Sequence, residues 1–438
     1  RRIAPSSVNY TGYRPDEISL YEIETIKSSF VKAAQFANLA NFDGIELHGA
    51  HGYLLQEFFS PALNKRDDKY GGTFEGRLRL AQEVIDEIRE KLSIPIGIRL
   101  SLYEDDLNGY SADYGAMIAN SLRNIDYVHL SAGRFAPPGS SASFYTPKTH
   151  VFDKMVQKPN VTTMVVGSIT NVGDVEKVLQ VADFVSIGRG FLADPYLVKK
   201  FKADPNLLRP CIRCNQACRN LSYGEVRCTV NPDTGFEFYH KYRKRYSGEI
   251  EIAGAGVKGI EAAISAAKSG LSVILYDRKD RIGGQILDIY DEFKKKEFST
   301  LLSYYGHVLD ALNVQFVPET EYRGKGLYCY PDTVYPEIVP KDHIIIDSNI
   351  YRYYDDALRM AEETKITMTD RSLLWLDRTR RDPYRIIAMQ KGIEFVPETD
   401  EKPDIGIIET DQYDIGAAII SGRESLRTFM EKNENDYL

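Results

Sequence analysis

The sequence predicts an α/β protein made of two parallel-sheet assemblies joined by a cysteine-bearing segment. Three observations lead there. Over residues 1–205, short apolar β-runs alternate with amphipathic stretches at a spacing of about 30–50 residues, the rhythm of repeated βα units with parallel strands. Residues 206–247 read as a linker that gathers four of the five cysteines. From residue 248 onward, a strand, a glycine-rich turn and a helix open a Rossmann unit. A chain of 438 residues accommodates two or three domains, and the expected division is 1–205, 206–247 and 248–438.

The β-runs of the first part fall at 44–48, 94–100, 127–130, 164–167 and 184–187, with helical patterns at 21–40, 75–92, 112–123 and 171–181. At or just beyond the ends of these runs stand His48, Arg99, Ser131, Gly167 and Gly188. The carboxyl ends of parallel strands are where (β/α)₈ TIM barrels place their sites. Five strands do not close such a barrel, which takes about 250 residues. After the linker, the pattern predicts a strand at 249–253, a helix at 259–269, a strand at 271–276 and a further strand–helix–strand at 343–369. Residues 319–341, with four tyrosines and three prolines, read as irregular loop.

Composition excludes several classes. Hydrophobic residues at 43% and charged residues at 27% are ordinary for a globular protein, so disorder, collagen and coiled coil are poor readings. The net charge of −8, from 55 Lys+Arg against 63 Asp+Glu, argues against a nucleic-acid partner. The short basic run 241–245 reads as solvated linker. No apolar run approaches the roughly 20 residues of a membrane span, and no signal peptide is recognisable. Few cysteines, mostly clustered, suit a metal or cluster site in a reducing, cytoplasmic compartment better than a disulfide scaffold. The chain opens on Arg1 and not Met, so an earlier start is expected. Whether identical chains form an oligomer stays open.

The string FDGIELHGAHGYLLQEFFSPALNKRDDKYGGTFEGRLRL (42–80), with IGIRLS (97–102) and VSIGRGFLADP (185–195), resembles the old yellow enzyme family of flavin oxidoreductases. The resemblance covers 1–205 and implies an FMN-binding barrel of which strands 4–8 are present here and strands 1–3 are not. It implies that His48 and His51 hydrogen-bond the carbonyl oxygen of an activated alkene. Hydride addition at the β-carbon builds negative charge on that oxygen, which nearby donors stabilise. Tyr53 would protonate the α-carbon, since a phenol of pKa about 10 is protonated at neutral pH. Two structural histidines and a packed tyrosine are the plain alternatives; a metal at the pair lacks a third ligand. Arg99 would stand near flavin N1 and O2, where a cation favours reduction. Gly167, Gly188 and Arg189 would hold the FMN phosphate through backbone N–H groups and a bidentate charge. Related dienoyl reductases often carry a histidine after strand 6; here Arg134 comes first and His150 lies further along, so substrate preference is open.

Cys211, Cys214, Cys218 and Cys228 offer four thiolates within 18 residues, which suits zinc or an iron–sulfur cluster. Zinc ribbons usually pair two Cys-x-x-Cys knuckles, whereas Cys228 stands alone. The string CIRCNQACRN…CTVNP looks like the [4Fe–4S] segment of the family's larger members, of the 2,4-dienoyl-CoA reductase and trimethylamine dehydrogenase type, with a shorter loop between Asn220 and Val226. Cys329 is isolated and is expected to be unligated.

In the Rossmann part, Gly254, Gly256 and Gly259 follow a strand and open a helix, and Asp277 stands about 20 residues on, placed to accept ribose hydroxyls. The continuation DRKDRIGGQI, with Gly284 and Gln285, resembles the FAD-binding half of the same reductases, and 411–426 resembles their closing segment. The second, NAD(P)H-type half is degenerate. Where a glycine turn is usual, Asp347-Ser348-Asn349 cannot cradle a pyrophosphate in the usual way.

The resemblance therefore implies reduction of the C=C bond of an α,β-unsaturated acyl substrate, enoyl-CoA or enoate-like. NAD(P)H-derived electrons would pass through FAD and the cluster to FMN. Two further readings keep the fold: an amine dehydrogenase that exports electrons to a flavoprotein partner, and a degenerate electron-relay subunit.

Overall fold

The computed structural model describes residues 1–9, 12–105, 108–133, 142–219, 225–237, 245–331, 335–409, 414–433 and 437. They fall into two compact units, Arg1–Ser141 with Thr149–Ile187, and Ala142–Lys148 with Gly188–Leu438. Arg134, Asn220, the basic run through Lys244 and the start of the closing segment at 411–413 lie outside the described residues.

The first unit begins with two short strands, β1 (Ile3–Ala4) and β2 (Asp16–Glu17), which pair in parallel. It then alternates α1 (Leu20–Leu39), β3 (Ile45–Gly49), α2 (Leu54–Phe59), α3 (Phe74–Lys91), β4 (Ile96–Ser101), α4 (Ala112–Ser121), β5 (Tyr127–Ser131), β6 (Thr162–Val166), α5 (Val172–Val181) and β7 (Phe184–Ser186). Polar caps set the helix starts. Ser19 and Glu22 form a reciprocal capping box on α1, while Thr73, Ser111 and Asn171 accept from the first turns of α3, α4 and α5. The order β3-β4-β5-β6-β7 is parallel throughout, an arc of five strands in chain order as in a TIM barrel. Side chains alternate across it. Ile98, Val128 and Val165 are fully buried among Leu80, Val84, Ile85 and Val178, each contributing about 1.5–3 kcal/mol of transfer free energy. His48, Arg99 and His129 take the other face, paired in register across neighbouring strands.

The second unit opens with α6 (Arg189–Ala193) and α7 (Leu197–Ala203), then the cysteine segment. A first βα layer follows: β8 (Glu249–Ala253), α8 (Val257–Lys268), β9 (Ser272–Tyr276), α9 (Glu292–Ala311), β10 (Gln315–Val317) and β11 (Leu327–Tyr328). Its strands are parallel in the order β10-β9-β8-β11, a Rossmann order. A second layer, β12 (His343–Ile346), α10 (Tyr351–Met360), β13 (Lys365–Thr369), α11 (Arg378–Gln390) and β14 (Glu394–Val396), forms a three-stranded parallel sheet. The closing helix α12 (Ile415–Lys432) packs on α8 where Gly422 lacks a side chain; a Cβ there would stand 2.1 Å from the Lys258 carbonyl oxygen.

Two sequence expectations are corrected. The stretch 319–341 is not wholly irregular, since β11 pairs with Ile252–Ala253. Two residues are too few to show a period, and the close approach depends on Gly326, whose Cβ would lie 2.2 Å from the Glu251 carbonyl oxygen. Helix α8 starts at Val257 and not 259, because Gly256 already serves as its N-cap.

Candidate functional site

Chain turns place the predicted side chains of the first unit. After β3 the chain reverses through His51 and Gly52, both left-handed at φ 59° and 74°. This is costly for histidine and must be held from outside. Ser101 accepts the His51 N–H at 3.0 Å, Ser131 Oγ lies 2.7 Å from His51 Nε2, and Gln56 Oε1 accepts the Gly52 N–H at 2.6 Å. Gln56 in turn donates to buried Glu104, which also accepts from Ser60. Two strand ends and α2 therefore fix the loop. The result brings the three expected catalytic residues together: the His48 ring lies 5.3 Å from His51 and 5.0 Å from Tyr53. Tyr53 is 54% exposed and leaves its ring open to solvent. Partial burial, then the nearby Arg99 charge, lower the His48 pKa, so its imidazole is neutral at neutral pH.

Arg99 is the register partner of His48. Its Nε is buried and has no hydrogen-bond partner among the described residues. Such an orphaned cationic donor fits an anionic or carbonyl acceptor, so the residues present fit the N1/O2 edge of a flavin. Sequence reasoning missed the groups around it. His129, buried on β5, places Nδ1 3.1 Å from Glu46 Oε2, and its Nε2 is also orphaned. The only sequence signal was polar residues at strand positions that face inward.

At the end of β6, Gly167 at φ 133° and Ser168 at φ 53° turn the chain into α5. His150 contributes here: its ring stacks on Phe152 at 4.4 Å, with Nδ1 3.3 Å from the Gly167 carbonyl and Nε2 3.5 Å from Asp174.

In the second unit, Gly188 caps α6 and a Cβ on it would meet nothing within 4 Å. Arg189 donates to Asn215 and, at 3.2 Å, to the Ala142 carbonyl. The arginine expected at a phosphate therefore contacts the cysteine segment. Two left-handed residues, Arg213 and Asn215, flank Cys214. Backbone N–H groups point at the sulfurs, from Gln216 to Cys214 and from Val230 and Asn231 to Cys228. Burial, then the neighbouring thiols, push Cys218 and Cys228 up to about 12. Thiols supplied with backbone N–H donors are the donor chemistry an iron–sulfur cluster takes. Among the described residues, however, no three His, Cys, Asp or Glu side chains converge to hold a metal ion. Buried Arg209 ties this segment to α8, donating to Glu261 at 2.6 Å and to the Val230 carbonyl at 2.7 Å.

The glycine turn is tightly built. Gly254 has φ 103°, and a Cβ on Gly259 would stand 1.7 Å from its carbonyl oxygen. Gly283 donates to the Ala255 carbonyl at 2.8 Å, so the Gly284–Gln285 turn folds against the loop. Asp277 accepts from the Ala255 and Lys279 N–H groups and braces the turn from beneath. Among the described residues no side chain caps the α8 N-terminus, which fits a pyrophosphate. The equivalent turn of the second layer does not. Asn349 donates to and accepts from the Glu409 backbone, both at 2.9 Å, and Asp347 accepts from Thr369 and Arg371. Side chains at this turn thus bond to neighbouring chain, and one of them is a carboxylate, which does not suit a pyrophosphate.

Residues 4–207 match the NADH:flavin oxidoreductase / NADH oxidase family, and residues 249–289 match the FAD dependent oxidoreductase family. The chain is 39% identical over 305 residues to an NADH oxidase of Thermoanaerobacter brockii, covering 65% of this chain and 46% of that protein. It is 29% identical over 347 residues to a cinnamate reductase of Clostridium sporogenes, covering 72% and 52%. The chain thus spans about half the length of the curated relatives it matches. Among solved structures, histamine dehydrogenase from Rhizobium sp. 4-9 superposes with a TM-score of 0.78 at 20% identity, covering 97% of this chain and 80% of that one. A 2-naphthoyl-CoA reductase superposes at 0.73 with 21% identity, covering 90% and 68%. These two share the fold.

Proposed function

From the premise that this chain belongs, through residues 4–207, to the NADH:flavin oxidoreductase / NADH oxidase family, we propose that it reduces the C=C bond of an α,β-unsaturated acyl compound. When bound, a reduced flavin supplies the hydride. The observation that carries the reading is the His48–His51–Tyr53 group, with ring separations of 5.3 and 5.0 Å, beside the unpartnered Nε of Arg99. His48 and His51 hold the substrate oxygen and stabilise the charge that grows on it. Neutral His48 does so by a hydrogen bond, without a compensating proton loss. Tyr53, open to solvent, donates a proton to the α-carbon and recovers it from water. Arg99 would hold the N1/O2 edge of FMN, with Gly167 toward its phosphate. Gly254, Gly256, Gly259, Asp277, Gly284 and Gln285 would hold FAD. Cys211, Cys214, Cys218 and Cys228 would hold a [4Fe–4S] cluster, which supplies one-electron transfer.

The test is anaerobic reduction of the purified protein followed by mixing with enoates and enoyl-CoA thioesters. Reoxidation of the flavin by one of them is expected; failure of every such acceptor rejects the reading. A second reading, an amine dehydrogenase passing electrons to a flavoprotein, is favoured by the second nucleotide turn that Asp347 and Asn349 fill. Bleaching of the flavin by methylated amines, with no response to NADH or NADPH, would select it.

A further inference from the structure

A carboxylate that the proposed chemistry does not use lies within the layer that carries His48 and Arg99. Glu46 stands two residues before His48 on β3, in register with Gly97 of β4 and, beyond it, Tyr127 of β5. Gly97 has no side chain, and a Cβ there would stand 2.0 Å from the Tyr127 ring. The phenol therefore crosses over β4 toward Glu46, and burial, then the Glu46 charge, push it up to about 12. His129, two residues on from Tyr127, reaches the same carboxylate with Nδ1 at 3.1 and 3.3 Å. One donor and one phenol of β5 thus reach over the intervening strand toward one anion, and the glycine of that strand leaves room for the phenol ring. The charged and titratable groups facing Glu46 are His48, Arg99, Tyr127 and His129. Arg99 has an unpartnered Nε and counts Glu46 as its compensating charge.

We propose that Glu46 is a positioning residue: held by His129 and faced by Tyr127 across the Gly97 gap, it balances Arg99 and so sets how strongly that guanidinium favours a reduced over an oxidised flavin. This rests on the flavin reading above. Burial works against an anion at this place, and His129, Tyr127 and the Arg99 charge together outweigh it, so Glu46 stays charged at neutral pH.

Glu46→Gln keeps an acceptor for His129 and removes the charge. With Arg99 no longer balanced, the preference for reduced over oxidised FMN is expected to rise about tenfold, the scale of one partly screened charge. That corresponds to about 30 mV for a two-electron couple, read by dye-equilibrated spectroelectrochemistry of the full chain. Tyr127→Phe keeps the charge and removes the hydroxyl dipole that faces it, so it moves the preference the opposite way; it decides the matter if Glu46→Gln does not fold. An unmoved preference in a yellow, folded variant, or a change in melting temperature alone, overturns the proposal and leaves the flavin reading standing. A wild type that binds no flavin sinks both.

Discussion

Replacing Arg209 by methionine takes the nearest cation from a carboxylate in the core of the second unit. Glu261 has no exposed surface, and its partners are Arg209 at 2.6 Å and the Tyr305 hydroxyl at 3.0 Å, with Arg423 Nε 3.6 Å away. Removing one member of a buried pair costs about 3–5 kcal/mol, because the other charge stays buried. Tyr305 and Arg423 remain, so the expected loss lies near about 3 kcal/mol, roughly a hundredfold in the unfolding equilibrium. Urea unfolding followed by circular dichroism reads it on the transition of the second unit. The double variant Arg209→Met/Glu261→Leu, which removes both charges, should be more stable than either single variant. The pH dependence adds a sign. Burial raises the Glu261 pKa, but the charges of Arg209 and Arg423 and the Tyr305 bond outweigh it, so the folded value lies below the unfolded one. The pair's contribution is therefore present above the unfolded carboxyl pKa of about 4.3 and lost as pH falls through the folded value. In Arg209→Met, protonation of Glu261 instead relieves the burial, so stability gains on acidification. Single variants whose effects add to that of the double, with no coupling beyond about 0.5 kcal/mol, would refute the reasoning.

Other perturbations reach the sites directly. His51→Ala should lower turnover with unsaturated acceptors about 10²–10³-fold in stopped-flow reoxidation, while reduction of the flavin by its donor is unchanged. Gly259→Ala would force a Cβ to within 1.7 Å of the Gly254 carbonyl oxygen, so FAD released on denaturation should fall while FMN stays. Cys228→Ser should lower iron content with both flavins retained, measured by colorimetric iron assay.

The parallel strands of the first unit were legible because each is a short apolar run bounded by turn residues, and His48, Arg99 and Ser131 stand on or directly beside those runs. The glycine turn and Asp277 were legible for the same reason, since strand, turn and helix are contiguous. What stayed hidden depends on register. Glu46 meets His129, 83 positions away, and Arg209 meets Glu261, 52 positions away; nothing local marks either pair. Gly97 reads in sequence as a weak spot in a strand, and only its neighbour across the sheet shows what the missing side chain allows. Strand β11 escaped because two residues carry no period.

The most direct measurement is the visible spectrum of the purified chain, with the flavins and iron it releases on denaturation. A yellow-brown protein yielding FMN, FAD and iron is expected. A colourless, iron-free preparation that releases neither flavin would contradict the flavin oxidoreductase account at its root.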